Sequence, residues 1–232
     1  MTWQEDLKSR CGLRGRQIRL FEQLLDILVE NADRNLTAVT SPDRIVDLHF
    51  RDSLSLLDFI KEGAAANIAD IGSGAGFPGI PLAIALPESI FTLIESNGKK
   101  CSFLEATVSS LRLANVRILH SRAEAAARTT LRDSFDVALA RAVGPLPVVL
   151  EYALPLLRSG GIALLQRGAR EEGDESSASK VAPLLAGSLD FVKAVEPFPG
   201  SKNLNVWRFS KTGPTPSGFP RRPGMAKKRP LQ

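Results

Sequence analysis

Cysteine and histidine are scarce in this sequence of 232 residues, which contains two of each. The cysteines, Cys11 and Cys101, are far apart and lack the spacing of metal ligands, so we expect two free thiols and no metal site. No apolar run approaches the length that spans a membrane, and no signal-peptide segment follows the acidic residues near the amino terminus. These absences predict a cytoplasmic protein that contacts no membrane and forms one globular domain with an appendage.

Acidic residues are absent from the carboxyl-terminal segment 211–232, which carries six basic residues. The net charge of the whole chain is +5, so this segment accounts for the positive charge. A basic segment of this kind is typical of an arm that binds a polyanion, although a solvated terminus has the same composition. Its five prolines and few apolar residues predict no regular helix and no packed core.

The amino-terminal third has the pattern of helices and contains no predicted strand. Apolar residues recur at helical spacing over residues 17–31. A second helix is predicted to begin at Ser41, which can cap it, and Pro42, which suits the first helical position, and to run to about Lys61. We therefore expect a helical extension over residues 1–63.

Short apolar runs alternate with helical stretches from residue 67 onward. Five runs predict strands, with helices after the first, second and fourth: NIADIG, FTLIE, RILHS, FDVALAR and GIALLQR. This alternation is typical of a mostly parallel, Rossmann-like sheet. LDFVKAVEPF and NVWRFS predict a final antiparallel strand pair, and the acidic, serine-rich segment 170–180 predicts a mobile surface loop. The α/β domain should span residues 64–211 and the basic tail residues 212–232.

The glycine-rich loop after the first predicted strand, in ADIGSGAGFPGIPLA, fits two motifs. Gly74, Gly76 and Gly79 match G-x-G-x-x-G, the fingerprint of dinucleotide binding, which is weak when it stands alone. Asp70 begins a second match, D-x-G-x-G-x-G, which is the loop that binds S-adenosylmethionine. Glu95 ends the second predicted strand and could bind the ribose hydroxyls of either cofactor.

Three features favour methyl transfer over hydride transfer. The carboxylate of Asp70 can accept hydrogen bonds from loop amides and help to place a cationic ligand, whereas it would repel a pyrophosphate. Hydride chemistry needs a proton donor, and the only tyrosine, Tyr152, is followed four positions later by Leu156 rather than by lysine. The residues that follow the fifth predicted strand are too few for a separate substrate domain. The sequence therefore indicates a methyltransferase.

Five segments come in the order of one bacterial family: NLTAV…HFRDSL, DIGSGAGFPGIPLA, SRAE, ARAVGPL and FPRRPGMAKKRPL. From about Arg34 to its end, the chain resembles the 16S ribosomal RNA guanine-N7 methyltransferases, the methyltransferase G family, also called glucose-inhibited division protein B. The most specific match is GSGAGFPGIPLA, because Pro78 and Pro81 around Gly79 are unusual in other methyltransferase loops.

The resemblance implies a class I S-adenosylmethionine-dependent methyltransferase of the α/β class. It also implies that the enzyme methylates N7 of guanine 527 in 16S ribosomal RNA, as naked RNA or in the small-subunit particle. We expect the protein to act as a monomer.

Methylation of guanine N7 requires neither a general base nor a nucleophile from the enzyme, because the N7 lone pair is unprotonated at neutral pH and lies in the ring plane. Methyl transfer from a sulfonium is an in-line displacement, so positioning matters most. Neither cysteine lies near the end of the fourth predicted strand, where pyrimidine C5 methylation would need a nucleophile. ALARAVGPLP stands where amine methylation commonly uses an Asp/Asn-Pro-Pro-aromatic turn. We therefore expect no catalytic base or nucleophile.

The expected cofactor-binding residues lie at or just after predicted strand ends, and they are Asp70, Gly72, Gly74, Gly76, Phe77, Glu95, Ala123, Glu124 and Arg141. Phe77 is assigned through the resemblance and could otherwise be a packing residue. The side chain of Glu124 could equally cap a helix. Arg141 could instead form a surface ion pair, but its position at a strand end and the resemblance favour the site. The expected RNA-binding residues lie in the tail, and they are Arg221, Arg222, Lys227, Lys228 and Arg229.

Two other functions fit the same residues. One is an S-adenosylmethionine-dependent methyltransferase of another RNA, a small molecule or a protein. The other is a catalytically silent RNA-binding protein on an inherited fold. Retention of Asp70, the glycines and Glu95 argues against loss of cofactor binding.

Overall fold

The computed structural model describes residues 1–32, 36–62 and 66–232. The chain opens with helices α1 (Trp3–Cys11) and α2 (Gly15–Glu30). Helix α2 buries one apolar face, as its periodicity predicts, through Ile18, Phe21, Leu24 and Leu28. The expected boundary between residues 63 and 64 lies outside the described residues.

The second predicted helix is interrupted. The structure has α3 (Pro42–Ile45), a π-helical segment (Val46–Arg51) and α4 (Asp52–Leu54), and α5 (Leu57–Lys61) follows after a break. The prediction of one continuous helix to about Lys61 was therefore wrong.

Side-chain competition for backbone carbonyls explains the interruption. The hydroxyl of Ser53 donates to the carbonyl of His49, and the hydroxyl of Ser55 donates to the carbonyl of Asp52 at 2.6 Å. The guanidinium of Arg141 donates a hydrogen bond to the carbonyl of Leu48 at 2.8 Å. Bonds of this kind draw carbonyls away from the regular helical ladder and distort it.

Seven strands form one sheet in the order β3-β2-β1-β4-β5-β7-β6. The strands are β1 (Asn67–Ile71), β2 (Ile90–Glu95), β3 (Val116–His120), β4 (Phe135–Arg141), β5 (Leu157–Arg167), β6 (Gly187–Val195) and β7 (Leu204–Lys211). The first five are parallel, and β7 pairs antiparallel with both β5 and β6. The predicted sheet and its final antiparallel pair are confirmed.

Helices cover both faces of the sheet: α6 (Gly79–Ala85), α7 (Gly98–Ser110), α8 (Ala123–Ala126), α9 (Leu146–Ala153) and α10 (Asp174–Leu184). The amino-terminal helices, α6 and α7 enclose an apolar core on one face, with Phe21, Phe50 and Leu104. Helices α8, α9 and α10 enclose a second core on the other face, with Leu150, Val181 and Trp207. None of the helices within the described ranges has the length and apolarity to cross a bilayer.

Helix α10 corrects the prediction of a mobile loop at 170–180. Its polar composition hides a narrow buried stripe of Ala178, Val181 and Ala182. Acidic residues in its first turn, Asp174 among them, interact favourably with the helix dipole. A short apolar stripe is therefore enough to hold this helix on the sheet.

The carboxyl-terminal tail packs on the body of the protein, which its composition did not predict. Thr215, Pro220 and Ala226 are buried, and residues Met225–Lys228 form the one-turn helix α11. Arg132 donates to the carbonyls of Thr215 at 2.7 Å and Pro216 at 3.0 Å. The tail needs no core of its own because the body of the protein supplies its partners.

Lys211, at the end of β7, is not a free tail charge. Its ammonium is buried and donates to the carbonyls of Leu154 at 2.9 Å and Leu185 at 3.2 Å. Burial lowers the pKa of Lys211 to about 8. This lysine therefore joins β7 to the helical layer rather than offering charge to a partner.

Candidate cofactor and RNA site

The glycine-rich loop between β1 and α6 turns through three glycines of positive φ. The φ angles are +66° at Gly72, +61° at Gly74 and +100° at Gly76, a region that side chains other than glycine rarely enter. A Cβ on Gly74 would meet nothing closer than the carbonyl oxygen of Gly72 at 3.8 Å. Gly74 therefore faces open space, and its backbone can approach a ligand closely.

Asp70 shapes this loop from beneath. It is fully buried, and its Oδ2 accepts a hydrogen bond from the amide of Gly79 at 3.0 Å. Its Oδ1 has no hydrogen-bond partner in the part of the chain that the structure describes. Burial raises the pKa of Asp70 to about 7. A cationic ligand over the loop would favour the charged form of this carboxylate.

Glu95 lies against the same loop because β1 and β2 are neighbouring parallel strands. Its side chain is buried, with Oε2 accepting from the amide of Gly74 at 3.0 Å and Oε1 from the amide of Asn97 at 2.8 Å. Two oriented carboxylate oxygens beside an open backbone suit the two hydroxyls of a ribose. The predicted neighbourhood of Glu95 and the glycines is present in the fold.

Ala123 and Glu124 begin the short helix α8, just after β3. Glu124 is buried, and its Oε1 accepts from the amide of Gly224 in the tail at 2.9 Å. The side chain of Glu124 therefore bonds the tail, and the carbonyl of Ala123 accepts from the amide of Ala127 at 2.9 Å. Any ligand contact of this segment would use the backbone amides at the start of α8.

Arg141, at the end of β4, forms an internal ion pair. Its Nη1 donates to Asp52 Oδ2 at 2.9 Å and to the carbonyl of Leu48 at 2.8 Å. Only 17% of the side chain of Arg141 and 11% of that of Asp52 is exposed. Burial raises the pKa of Asp52, and the charge of Arg141 opposes that shift. The ion-pair alternative for Arg141 is thus what the structure shows, although the pair is buried rather than superficial.

Phe77 lies between the glycine-rich loop and this ion pair. Its ring stacks on the imidazole of His49, with the ring centroids 4.3 Å apart, and the guanidinium carbon of Arg141 is 5.3 Å from the ring centroid. Burial, followed by the charge of Arg141, lowers the pKa of His49 to about 4. The π-helical segment thereby places a neutral, buried histidine against the loop.

A cleft of about 400 Å³ opens beside Arg141, between the ends of β4 and β5 and the start of β7. Its polar lining includes Asp52, Gln166 and Asn205. The Nε2 of Gln166 donates to the carbonyl of Asp52 at 2.7 Å and to its Oδ1 at 3.2 Å. The lining includes neither Asp70, Glu95 nor the loop glycines, so the cleft lies next to the glycine-rich loop, on the β5 side of Arg141.

Sequence reasoning missed the contribution of Asp52, His49 and Gln166. Asp52 and His49 both lie in the segment HFRDSL, which belongs to the family resemblance, so a signal for them was present. Gln166 is the penultimate residue of the fifth predicted strand, near the edge where open α/β sheets bind ligands, and that position was the available signal.

Arg221 differs from the other basic tail residues that were predicted to bind RNA. Its Nε donates to Glu151 Oε1 at 2.9 Å, and Glu151 is 1% exposed. Arg221 therefore anchors the tail, which corrects its assignment as a free RNA ligand. The remaining four are exposed and form no ion pair with any residue in the described ranges: Arg222, Lys227, Lys228 and Arg229.

The strand order, the glycine-rich loop after β1 and the acid at the end of β2 define a class I S-adenosylmethionine-dependent methyltransferase. A solved O-methyltransferase from Bacillus cereus, in complex with SAH, has the same fold, with a TM-score of 0.62 and 17% sequence identity. The match covers 90% of this chain and 96% of that chain.

The chain belongs to the rRNA small subunit methyltransferase G family (GidB), whose family model matches residues 17–199. It is 40% identical to the ribosomal RNA small subunit methyltransferase G of Desulfitobacterium hafniense, over 94% of this chain and 91% of that protein. It is 42% identical to the protein of the same name from Chloroflexus aggregans, over 94% of this chain and 92% of that protein.

Proposed function

We propose that this methyltransferase transfers a methyl group from S-adenosylmethionine to N7 of guanine 527 in 16S ribosomal RNA. The observation that carries the proposal is the match to the rRNA small subunit methyltransferase G family over residues 17–199. The described lining of the cleft beside Arg141 agrees with it, because that lining holds no free base. Its one carboxylate, Asp52, is bonded to Arg141 and Gln166. An acceptor that must lose a proton would need such a base, whereas guanine N7 would not.

The charges of the site agree with this acceptor. Methyl transfer moves a positive charge from the sulfonium to the guanine ring, so the site must tolerate a cation on either side of the transfer. Asp52 forms an ion pair with Arg141 at 2.9 Å. The pair has no net charge, so it would not repel the positively charged methylated base. The ion pair holds the two sides of the site together without repelling the product.

S-adenosylmethionine supplies the electrophilic methyl group, and the residues of the loop suit it. The proposed cofactor residues are Asp70, Gly72, Gly74, Gly76, Phe77, Glu95 and the backbone of Ala123 and Glu124. The open space at Gly74, the unpartnered Oδ1 of Asp70 and the two acceptors of Glu95 support this assignment. Arg141 would act by positioning Phe77 and the segment around Asp52.

One part of the RNA would contact the face that carries the docked tail. Four exposed cations there, from Arg222 to Arg229, offer contacts to phosphates. We further propose that the protein acts in the cytoplasm as a monomer on 16S ribosomal RNA or the small-subunit particle. In this proposal the helical extension (1–63), the methyltransferase domain (64–211) and the tail (212–232) work as one unit, because Arg141 and Glu151 join them.

Transfer of tritium from labelled S-adenosylmethionine to 16S ribosomal RNA, followed by mapping of the labelled atom, tests the proposal. The expected result is one labelled guanine, with the methyl group on N7. Label on an exocyclic amine, on a pyrimidine or on a small molecule would contradict it. Absence of cofactor binding in a calorimetric titration would instead favour the silent RNA-binding protein.

Glu95→Gln tests the cofactor assignment separately. Loss of a charged acceptor should weaken cofactor affinity roughly tenfold or more, since hydrogen bonds to charged groups contribute about 1.5–3 kcal/mol. Glu105→Gln is the matched control, because Glu105 is exposed on α7. Equal affinities of the two variants in calorimetry would refute the role of Glu95.

A further inference from the structure

A second cleft, of about 560 Å³, lies far from the cofactor loop. Its walls come from the turn between α1 and α2, the end of α6, and the turns that precede β2 and β3. It therefore lies at the amino edge of the parallel strands, whereas the cofactor loop lies at their carboxyl edge. The two edges are separated by roughly 20 Å along β2, at about 3.3 Å per residue.

Four cations line this cleft, and they come from three separate parts of the chain, the start of α2, the end of α5 and the turn after α7: Arg14, Arg16, Lys61 and Arg112. All four are exposed, and none forms an ion pair with a residue in the described part of the chain. Glu88 is the only acidic residue in the lining. Cations that converge without compensating acids create a positive potential in a concave surface.

The amino terminus of α2 adds to this potential. The helix is 16 residues long, begins at Gly15 and has no acidic residue in its first turn. The partial positive charge of its end is therefore left uncompensated beside Arg14 and Arg16.

The carboxyl end of α6 would repel an anion, but its carbonyls are already occupied. The Nε2 of Gln17 donates to the carbonyls of Ile84 at 2.9 Å and Ala85 at 3.1 Å. The Nδ2 of Asn115 donates to the carbonyls of Ala83 at 3.1 Å and Leu86 at 3.3 Å. These two amides occupy carbonyls that would otherwise oppose a negative ligand, which leaves Glu88 as the one acidic side chain in the described lining against four cations.

We infer that this cleft binds the phosphate backbone of the RNA substrate, as a contact site separate from the cofactor edge and the tail. The inference rests on RNA being the substrate. An RNA that reaches both edges crosses the face covered by α2 and α6. The site would add affinity that depends on salt and not on sequence.

The inference is tested by direct binding of a 16S ribosomal RNA transcript, without methyl transfer as the readout. The double variant Arg14→Gln/Arg16→Gln is compared with Lys180→Gln/Lys202→Gln, which removes two exposed cations that lie outside the cleft and form no ion pair within the described residues. We expect weaker RNA binding only for the cleft variant. The slope of log affinity against log salt should become shallower by about 0.7 for each lost phosphate contact on single-stranded RNA. Cofactor affinity should be unchanged in both.

Cys11 provides a second readout in the unaltered protein, because it lines the cleft and is half-buried while Cys101 is buried. Bound RNA should slow the alkylation of Cys11 by iodoacetamide several-fold, as measured by mass spectrometry. Equal affinities and salt slopes for the two double variants would overturn the inference. Unchanged alkylation of Cys11 at saturating RNA would overturn it as well. Loss of methyl transfer with RNA binding and protection intact would count against the proposed function alone.

Discussion

Arg141 is the residue on which most of the site's contacts converge. It holds Asp52 and the carbonyl of Leu48, and its guanidinium lies over Phe77. Through these contacts the end of β4 fixes both the π-helical segment and the cofactor loop. Arg141 thus joins the helical extension to the sheet, together with Gln166 of β5, which also donates to Asp52.

Replacement of Arg141 by alanine should therefore lower stability as well as activity. Removing one partner of a buried pair leaves an uncompensated charge, which costs about 3–5 kcal/mol. Urea unfolding measures this loss. Asp52→Asn should recover part of it in the double variant, because the buried carboxylate is then gone.

Arg158→Ala is the control for this prediction. The side chain of Arg158 is 54% exposed in its ion pair with Asp136. Its replacement should therefore lower the free energy of unfolding by less than about 1 kcal/mol. Equal losses for the two arginine variants would show that the Arg141 pair behaves as a surface pair.

His49 makes stability depend on pH in the acid range. The pKa of His49 is lowered from 6.5 to about 4 in the folded protein. Between these two pH values the unfolded chain therefore binds a proton at His49 and the folded chain does not. The contribution of neutral, buried His49 to the free energy of unfolding is fully present above pH 6.5 and is lost as the pH falls towards 4. His49→Gln should flatten the decline of the urea midpoint over this range, because glutamine takes up no proton there. An unchanged profile for His49→Gln would refute the assignment.

At the scale of elements, the sheet was more predictable than its helical partners. Strands such as FDVALAR are continuous apolar runs, because parallel strands are buried on both faces. The polar sequence of α10 conceals a narrow buried stripe, and the π-helical segment depends on Arg141, which lies far along the chain. Long-range contacts of this kind leave no periodicity in the local sequence.

The tail is the element that sequence reasoning described least well. Its basic and proline-rich composition is real, but Arg132, Glu124 and Glu151 hold it through contacts distant in sequence. Composition identifies charge, and it does not show which charges the fold already uses.

Two adjacent arginines of the tail should behave in opposite ways. Arg221→Gln leaves Glu151 buried without its cation, so stability should fall by about 3 kcal/mol. Arg222→Gln changes only an exposed charge, so stability should hold while RNA affinity falls. Thermal unfolding and RNA titration of the two variants check this. Equal destabilisation by the two variants, or RNA affinity that falls only for Arg221→Gln, would contradict the roles of Arg221 as the anchor of the tail and of Arg222 as an RNA contact.

For the whole molecule, the family and the fold were evident from the sequence, while the hydrogen bonds and ion pairs of the site were not. DIGSGAGFPGIPLA and Glu95 predicted the cofactor edge, and the structure brings them together. The pair of Asp52 and Arg141 joins residues separated by 89 positions, which one sequence alone does not reveal. The fold thereby unites extension, sheet and tail around one edge.

We propose that the methyl acceptor is an unprotonated ring nitrogen, guanine N7, beside a cleft whose described lining holds no free base. The most direct test is methyl transfer to 16S ribosomal RNA that carries 7-deazaguanosine at the target guanine, compared with the unmodified RNA. We expect equal RNA affinity for the two substrates and no methyl transfer to the 7-deaza substrate, because its ring lacks the N7 lone pair. Methyl transfer to the 7-deaza substrate at the rate of the unmodified RNA would contradict the claim.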